Sequence, residues 1–259
     1  MITLTSVSKS FDGGRTFVVH DLSLHVHRGE LLVILGESGS GKTTIIRMIN
    51  RLAEPTHGRI FIDGIDISSA NPVQLRRSIG YVFQGIGLFP HMTVGENIGA
   101  VPKLLGWNKA RIASRVIELM EQVGLAPHQF RDRKPRELSG GQQQRIGVAR
   151  ALAAEPQVML MDEPFGALDP ITRATLQDEF QKLQRANRLT VILVTHDMTE
   201  ALMLADRIAV MRRGKIVAVG TPHELLTQPK DEYVSLLMKT PLRQAENLRN
   251  IASGGGSDA

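Results

Sequence analysis

The residues with the clearest chemistry form a glycine-rich stretch in the first fifth of the chain. They are Gly36, Glu37, Ser38, Gly39, Ser40, Gly41, Lys42, Thr43 and Thr44. Apolar residues 31–35 precede the stretch and apolar residues at helical spacing follow it, which is the strand, turn and helix order of a phosphate-binding loop. Glycines let several backbone N–H groups point at one anion, and a helix N-terminus adds positive partial charge. The stretch therefore predicts a nucleoside triphosphate site, with Lys42 at the β- and γ-phosphates and the Thr43 hydroxyl at Mg²⁺.

Two adjacent carboxylates follow a second apolar run at residues 158–161; they belong to Asp162 and Glu163. Ligands of open α/β sheets bind at the carboxyl ends of the strands. We predict that Asp162 supports Mg²⁺, directly or through water. Glu163 would face the γ-phosphate as a base or as a group that orients the attacking water.

A second possible anion cradle begins another amphipathic helical segment. Its residues are Ser139, Gly140, Gly141 and Gln142. A serine hydroxyl and exposed backbone N–H groups at a helix N-terminus suit an anion. Since one nucleotide has no need of two such cradles from one chain, we predict that this one serves the nucleotide of another subunit.

The elements that would position these groups are indicated by five short apolar runs, at residues 31–35, 79–83, 158–161, 191–195 and 208–211. Amphipathic helical segments separate several of them, which is typical of a mostly parallel sheet with helices on its faces. Residues 2–26 and 58–64 look antiparallel, and the strand signal disappears between about 93 and 154. The predicted fold class is α/β: a phosphate-loop NTPase core with a mostly parallel sheet, an N-terminal antiparallel β region and a helical insertion.

The composition of the 259-residue chain argues against several classes of protein. The formal net charge is +5, but basic residues are mostly interleaved with acidic ones, and one Trp and two Tyr offer few stacking platforms, so we predict no nucleic-acid binding. No apolar run reaches the roughly 20 residues of a membrane-spanning helix, and the first residues lack the pattern of a signal peptide. The absence of cysteine excludes disulfide and metal–thiolate chemistry. These features favour the cytoplasm.

Taken in order over about residues 1–240, these motifs resemble the nucleotide-binding subunit of an ATP-binding cassette (ABC) transporter. The resemblance implies that Phe11 stacks on adenine and that Gln84 senses Mg²⁺ and the attacking water. It also implies that His196 contacts the γ-phosphate. Residues 138–142 match the family signature, and residues 167–169 match the loop that crosses the dimer interface.

The resemblance also implies an assembly. Two copies would form a homodimer with ATP sandwiched at the interface, docked on integral membrane permease subunits and serving a substrate-binding protein indirectly. The chain would then lie at the cytoplasmic face of the inner membrane as a peripheral subunit. In importers, the region after Gln84 receives a helix of the permease, and Ile86, Leu88 and Phe89 would suit such an apolar contact.

Four longer segments, at residues 49–56, 86–92, 101–105 and 164–173, resemble the importers of glycine betaine, choline, carnitine and related osmoprotectants. The function implied is the ATP-hydrolysing subunit of such an importer. Two alternatives stay open: an importer ATPase for polar amino acids or another small solute, and a soluble ABC protein without a transport role.

The domain organisation follows from the same resemblance. We expect one ABC ATPase domain over 1–240, with a helical subdomain at about 86–155 inserted in the core. A flexible tail is predicted over 241–259, because apolar density falls there. Some relatives carry C-terminal CBS regulatory modules, for which this segment is too short.

Overall fold

The computed structural model describes residues 1–85 and 87–252, with only the backbone of residues 242, 244, 245 and 252. A six-stranded sheet forms the centre of the molecule. Its strands, in spatial order, are β10 (Lys215–Gly220), β9 (Arg207–Arg212), β3 (Leu31–Gly36), β8 (Thr190–Thr195), β7 (Val158–Asp162) and β6 (Ile79–Val82). All neighbours are parallel except β10, which pairs antiparallel with β9.

A second sheet is antiparallel and comes mostly from the N-terminal region. Its spatial order is β2 (Val19–Val26), β1 (Ile2–Lys9), β4 (His57–Ile62) and β5 (Ile65–Asp66). This arrangement confirms the predicted α/β class, with a parallel sheet and an antiparallel N-terminal region.

Ten α-helices and two short 3₁₀ helices (Ile67–Ser69 and Pro135–Glu137) complete the part of the chain that is described. The α-helices are α1 (Lys42–Ile49), α2 (Pro72–Ser78), α3 (Val94–Leu104), α4 (Lys109–Gln122), α5 (Pro127–Phe130), α6 (Gly140–Leu152), α7 (Pro170–Asn187), α8 (Met198–Leu204), α9 (Pro222–Thr227) and α10 (Glu232–Ala252). Helices α3 to α6 all lie between β6 and β7 in the chain, where the sequence predicts a helical insertion. None of these helices has the length and hydropathy needed to cross a membrane.

The central sheet is covered on both faces, which explains its continuous apolar runs. Leu31, Val33 and Leu35 face a core shared with residues of α3, α4, α6, α7 and α8. Leu32 and Ile34 face the opposite core, which contains α1 and the antiparallel sheet. Because five strands of the central sheet run parallel, their carboxyl ends meet at one edge. That edge positions the loops at 36–41, 83–84, 162–163 and 195–196.

The C-terminal segment differs from the prediction of a tail from 241. Helix α10 continues through Pro241 to Ala252, and residues 253–259 lie outside the described residues. Tyr233, Val234 and Met238 are buried in the core and anchor the first half of the helix. Leu248 is 67% exposed, so the second half gains little from packing. Sequence reasoning missed the helix because its second half lacks the apolar density of a packed one.

Candidate functional site

The loop between β3 and α1 contains glycines that lie close to other segments of the chain. A side chain in their place would have to displace neighbouring atoms. A Cβ built on Gly36 would lie 2.3 Å from the carbonyl oxygen of Met211 and 2.9 Å from Ser40 Oγ. Gly41 has φ +103°, and a Cβ there would lie 2.6 Å from the carbonyl oxygen of Val18. The loop is therefore pressed against β9 on one side and the start of β2 on the other.

Lys42, the first residue of α1, lies inside this loop. Only 5% of the residue is exposed, and Nζ donates hydrogen bonds to the carbonyl oxygens of Gly36 (2.7 Å) and Glu37 (2.8 Å). Burial lowers the pKa of the Lys42 ammonium, whereas the carboxylates of Glu163 and Asp162 act in the opposite direction. The loop thus surrounds a cation whose partners are neutral backbone oxygens that an anionic ligand can replace.

Other atoms of the loop also suit a phosphate ligand. Ser40 is buried, and its Oγ lacks a hydrogen-bond partner within the described part of the chain. A buried, unpartnered hydroxyl near a helix N-terminus is satisfied when an anion binds there. The predicted residues Glu37, Ser38 and Gly39 are exposed at the tip of the loop, and Thr44 is half-buried in the first turn of α1.

Thr43 and Asp162 place two oxygens side by side. Thr43 Oγ1 donates to Asp162 Oδ1 over 2.9 Å, which joins the first turn of α1 to the end of β7. Burial raises the pKa of the Asp162 carboxyl, and the hydrogen bond from Thr43 lowers it. Hard oxygen atoms of this kind fit Mg²⁺, which usually takes one or two protein ligands and completes its shell with water and phosphate. Clusters of three or more His, Asp or Glu side chains suited to a metal are absent from the described residues.

Glu163 lies at the centre of a three-residue contact. Its Oε2 accepts a hydrogen bond from Gln84 Nε2 (3.2 Å), and its Oε1 is 3.1 Å from His196 Nδ1. Glu163 has φ +43°, in the left-handed region that is costly for a residue with a side chain. Three strand ends thus converge on one carboxylate held in a strained backbone conformation. Gln84, predicted as a metal ligand, contacts Glu163 and is not joined to the Thr43–Asp162 pair by any hydrogen bond among the described residues.

Phe11 lies on the segment between β1 and β2. It is 66% exposed, and Lys9 Nζ lies 4.8 Å from the centre of its ring. The far end of the same segment, Val18, is the residue that approaches Gly41. An exposed ring on the segment that reaches the phosphate-binding loop suits the stacking on a base that the resemblance implies.

The signature residues form the N-terminus of α6. Ser139 Oγ accepts from the backbone N–H of Gln142 (3.3 Å), and Gln142 Oε1 accepts from the N–H of Ser139 (3.0 Å), which is a capping box. A Cβ on Gly140 would meet nothing within 4 Å, whereas one on Gly141 would lie 2.6 Å from Thr172 Cγ2. No hydrogen bond or ion pair joins residues 139–142 to residues 36–44 within the parts described.

The segment after Gln84 holds the residues that were predicted to contact a permease. Leu88 is half-buried against the core, Phe89 is 43% exposed, and Ile86 lies outside the described residues. Asn97 of α3 is fully buried and holds this segment through both ends of its amide, accepting from the N–H of Phe89 (2.8 Å) and donating to the carbonyl of Thr93 (2.9 Å). Sequence reasoning missed Asn97, because α3 also contains Glu96 and Lys103 and a polar residue there does not by itself indicate burial.

Two further side chains, Tyr233 and Arg173, make contacts at the site that were not anticipated. The hydroxyl of Tyr233 on α10 donates to Glu37 Oε1 over 3.2 Å, and Arg212 lies over the Tyr233 ring at 4.4 Å. Arg173 of α7 donates to Asp197 Oδ2 (3.2 Å) and to the carbonyl oxygen of Leu168 (3.1 Å). The partners are 196 residues apart in the first case and 24 in the second, so no local sequence pattern connects the first pair.

A large cleft in the structure lies away from the polar groups described above. A cleft of about 800 Å³ lies at the opposite edge of the central sheet, near Gly29 and Thr190. The cavity beside Glu163 and His196 holds only about 50 Å³. We place the functional site at the second location, because the hydrogen-bonded polar groups converge there. A nucleotide that two chains share would lie on an open surface of each.

Comparison with known proteins identifies the family of the chain. The family model described as ABC transporter matches residues 19–166. The choline transport ATP-binding protein OpuBA of Bacillus subtilis is 56% identical over 234 residues, which is 90% of this chain and 61% of that protein. The osmoprotectant import ATP-binding protein OsmV of Salmonella typhimurium is 53% identical over 261 residues, covering 100% of this chain and 68% of that protein. The chain thus spans about three fifths of the first relative and two thirds of the second.

Solved structures agree with the sequence comparison. The dimeric structure of a bacterial ABC transporter cassette has a TM-score of 0.77 and 34% sequence identity, and the match covers 86% of this chain and 99% of that chain. The dimeric post-hydrolysis state of a cassette bound to ADP and Pi also has a TM-score of 0.77, with 33% identity and the same coverage. With a family model that matches more than half of its length and relatives above 50% identity, the chain belongs to the ABC transporter family.

Proposed function

We propose that this chain is the ATP-binding and ATP-hydrolysing subunit that energises an ABC importer for osmoprotectants such as glycine betaine or other quaternary amines. The observation that carries the ATPase part is the Glu163 carboxylate, contacted by Gln84 on one side and by His196 on the other. The solute class is supported by relatives named for choline and for osmoprotectants.

The residues have distinct roles in this proposal. Lys42 exchanges its bonds to backbone oxygens for bonds to the β- and γ-phosphates of ATP, and the N–H groups of the loop add to the attraction. The Thr43 hydroxyl and the Asp162 carboxylate would hold Mg²⁺. When bound, Mg²⁺ would neutralise part of the negative charge of the phosphates. Phe11 stacks on the adenine.

Glu163 would orient the attacking water and accept its proton, while His196 donates a hydrogen bond to the γ-phosphate. Gln84 donates a hydrogen bond to one oxygen of the Glu163 carboxylate, which keeps the other oxygen, the proton acceptor, in a fixed orientation. Most of the rate enhancement in phosphoryl transfer comes from such positioning and from electrostatic stabilisation. The strained backbone at Glu163 fits a group whose placement matters more than its own stability.

A second copy of the chain would complete the site. Among the described residues, no hydrogen bond or ion pair joins residues 139–142 to the loop of their own chain, and in a head-to-tail homodimer they would meet the γ-phosphate bound by the partner. That phosphate would then join the two subunits, and its removal by hydrolysis would let them separate. The segment at 87–93 would contact integral membrane permease subunits. The chain would thereby lie peripherally at the membrane, and it would serve a substrate-binding protein indirectly.

The ATPase proposal is tested with two variants of the full chain, Lys42→Ala and Glu163→Gln. We expect Lys42→Ala to lose nucleotide affinity. Glu163→Gln should retain it but release phosphate at least about 100-fold more slowly, because it removes the proton acceptor. Nucleotide titrations and phosphate-release assays measure both quantities. Glu121→Gln, an exposed substitution on α4, is the matched control and should behave as the wild type.

Sedimentation of Glu163→Gln with saturating MgATP tests the shared site. A dimer is expected with ATP and a monomer with ADP. A variant that remains monomeric with ATP, or that hydrolyses ATP at the wild-type rate, contradicts the proposed function.

The solute is tested by uptake of radiolabelled glycine betaine, choline and glutamine in cells that express the chain with its permease and substrate-binding protein. Uptake of the two quaternary amines should be abolished by Lys42→Ala. Lys42-dependent uptake of glutamine alone would instead assign the importer to polar amino acids.

A further inference from the structure

A buried carboxylate beside the proposed catalytic group has no role in the scheme above. Glu200, on α8, is only 5% exposed, and its Oε1 lacks a hydrogen-bond partner in the described part of the chain. A buried polar atom left unpaired costs about 1–3 kcal/mol, and more when the group is charged. Such a residue is therefore a candidate for a functional role.

A complementary unpaired donor lies at the same place. Arg173 Nε is buried and also lacks a partner among the residues described. Arg173 and Glu200 line one cavity of about 50 Å³, together with Glu163 and His196. A water molecule needs roughly 10–15 Å³ of such space, so the cavity is large enough for a water that accepts from Arg173 and donates to Glu200.

The other two nitrogen atoms of Arg173 connect two loops of the site. Nη2 donates to the carbonyl oxygen of Leu168, in the loop that the family places at the dimer interface, and Nη1 donates to Asp197. Asp197 follows His196 and caps α8, where its Oδ1 accepts from the N–H of Glu200. Glu200 is thus fixed to the turn that carries His196, and Arg173 spans from that turn to the interface loop.

We propose that Glu200 is a positioning residue for ATP hydrolysis: it forms a charged couple with Arg173 across the cavity and so ties the His196 turn to the loop at 166–169. This inference rests on the proposed ATPase function. The couple holds His196 against Glu163 while the interface loop is engaged by a second subunit. Glu200 itself contacts neither substrate nor the reacting atoms.

The charge of this couple changes near neutral pH. Burial, with a smaller contribution from Asp197, raises the pKa of Glu200 to about 7, although Thr195, Gln177 and Arg173 act in the opposite direction. The charged or titratable groups that face Glu200 are Asp197 on its own element, Arg173 on α7, and Glu163 and His196 on the loops after β7 and β8. As the pH falls through about 7, Glu200 gains a proton, and its attraction for Arg173 is lost.

The test compares the wild type with Glu200→Gln, which keeps the shape of the side chain but is neutral at every pH. We expect the ratio of wild-type to variant kcat to rise from about 1 at pH 5.5 to about 10 at pH 8.5, with KM for ATP changed less than about twofold. Other titrating groups cancel in this ratio. A ratio that does not depend on pH overturns the proposal. Glu121→Gln is the control and should give a ratio of one throughout.

A second measurement does not depend on ATP hydrolysis. The folded-state pKa of Glu200 lies above that of an ordinary carboxyl group, so its contribution to stability is complete at low pH and is lost as the pH rises through about 7. Glu200→Gln should therefore raise Tm at pH 8.5 and leave it unchanged at acidic pH. The Glu200→Gln substitution is then repeated in an Arg173→Gln and in an Arg173→Lys background. The increase in Tm at pH 8.5 should be larger in the Arg173→Gln background than in the Arg173→Lys background, because only Arg173→Gln removes the opposite charge. Equal increases in all three backgrounds exclude the couple.

The two measurements separate the possible failures. If the wild type shows no Lys42-dependent hydrolysis, the proposed function fails, and the Tm series still decides whether Glu200 and Arg173 are coupled. If hydrolysis depends on Lys42 but the kcat ratio is flat, the proposed function stands and the positioning role is wrong.

Discussion

At the scale of single residues, the phosphate-binding loop depends on the close approach of two backbone segments. The carbonyl oxygen of Met211 on β9 occupies the space where a side chain at position 36 would lie. Backbone atoms of a central strand cannot move aside as the end of a flexible side chain can. The first glycine of the loop is therefore required by packing as well as by ligand binding.

Gly36→Ala tests this requirement. We expect a loss of about 1–3 kcal/mol in the free energy of unfolding, since the added methyl group overlaps a backbone oxygen. Urea denaturation measures the loss. Gly166→Ala is the matched control, because its Cβ would lie 3.8 Å from its nearest neighbour, the carbonyl oxygen of Glu163, and its stability should change by less than about 0.5 kcal/mol. Equal stabilities of the two variants would show that the loop can yield.

At the scale of elements, residues 87–93 lie outside the regular elements, and a buried side chain of α3 makes several of the hydrogen bonds that hold them. Asn97 is fully buried, and its amide bonds to backbone groups of Phe89, Met92 and Thr93. One buried amide thus replaces the hydrogen bonds that a helix or strand would provide. The shape of the proposed permease-contacting surface depends on α3 through this residue.

Replacement of Asn97 by Ala should lower the free energy of unfolding by about 2–3 kcal/mol, because several buried backbone groups lose their partner. It should also weaken co-purification with the permease while leaving nucleotide affinity nearly unchanged. Asn187→Ala removes one exposed hydrogen bond to Leu183 and is the control. Wild-type stability of Asn97→Ala would mean that the segment is held by other contacts.

Helix α10 shows a second connection between elements. Tyr233 joins the first turns of α10 to the tip of the phosphate-binding loop, through its hydrogen bond to Glu37. Burial and this hydrogen bond raise the pKa of the Tyr233 hydroxyl, so it remains a donor at neutral pH. Helix α10 therefore contacts the proposed nucleotide site directly.

At the scale of the whole molecule, the decisive question is whether the two anion cradles act in different subunits. A mixture of two defective variants answers it. Lys42→Ala removes the first cradle, and Gly140→Asp places a negative charge in the second, at a position where a Cβ meets no neighbour within 4 Å. Gly140 is preferable to Gly141 for this purpose, because Asp at 141 would also press on Thr172.

If the cradles work in trans, mixed dimers contain one intact site, and the mixture should occlude ATP although neither variant does so alone. Occluded nucleotide is measured by filtration after vanadate trapping. Failure of the mixture to recover occlusion, with both variants folded by circular dichroism, would mean that each chain encloses its own nucleotide.

The features that could be predicted from the amino-acid sequence are those formed by contiguous residues. The loop at 36–44, the carboxylate pair at 162–163 and the order of apolar runs are local patterns, because a phosphate cradle and a buried parallel strand each require particular residues in succession. These patterns were sufficient to predict the fold class and to name the groups that the structure places at one edge of the central sheet.

The contacts between side chains that are distant in the chain became visible in the folded structure alone. Gln84 and His196 contact Glu163 across 79 and 33 residues, and their distances depend on the order of β6, β7 and β8 in the sheet. The burial of Glu200 and the continuation of α10 past Pro241 likewise come from packing and not from local sequence. A local sequence pattern shows which side chains are present. Their burial and their contacts depend on how elements far apart in the chain pack together.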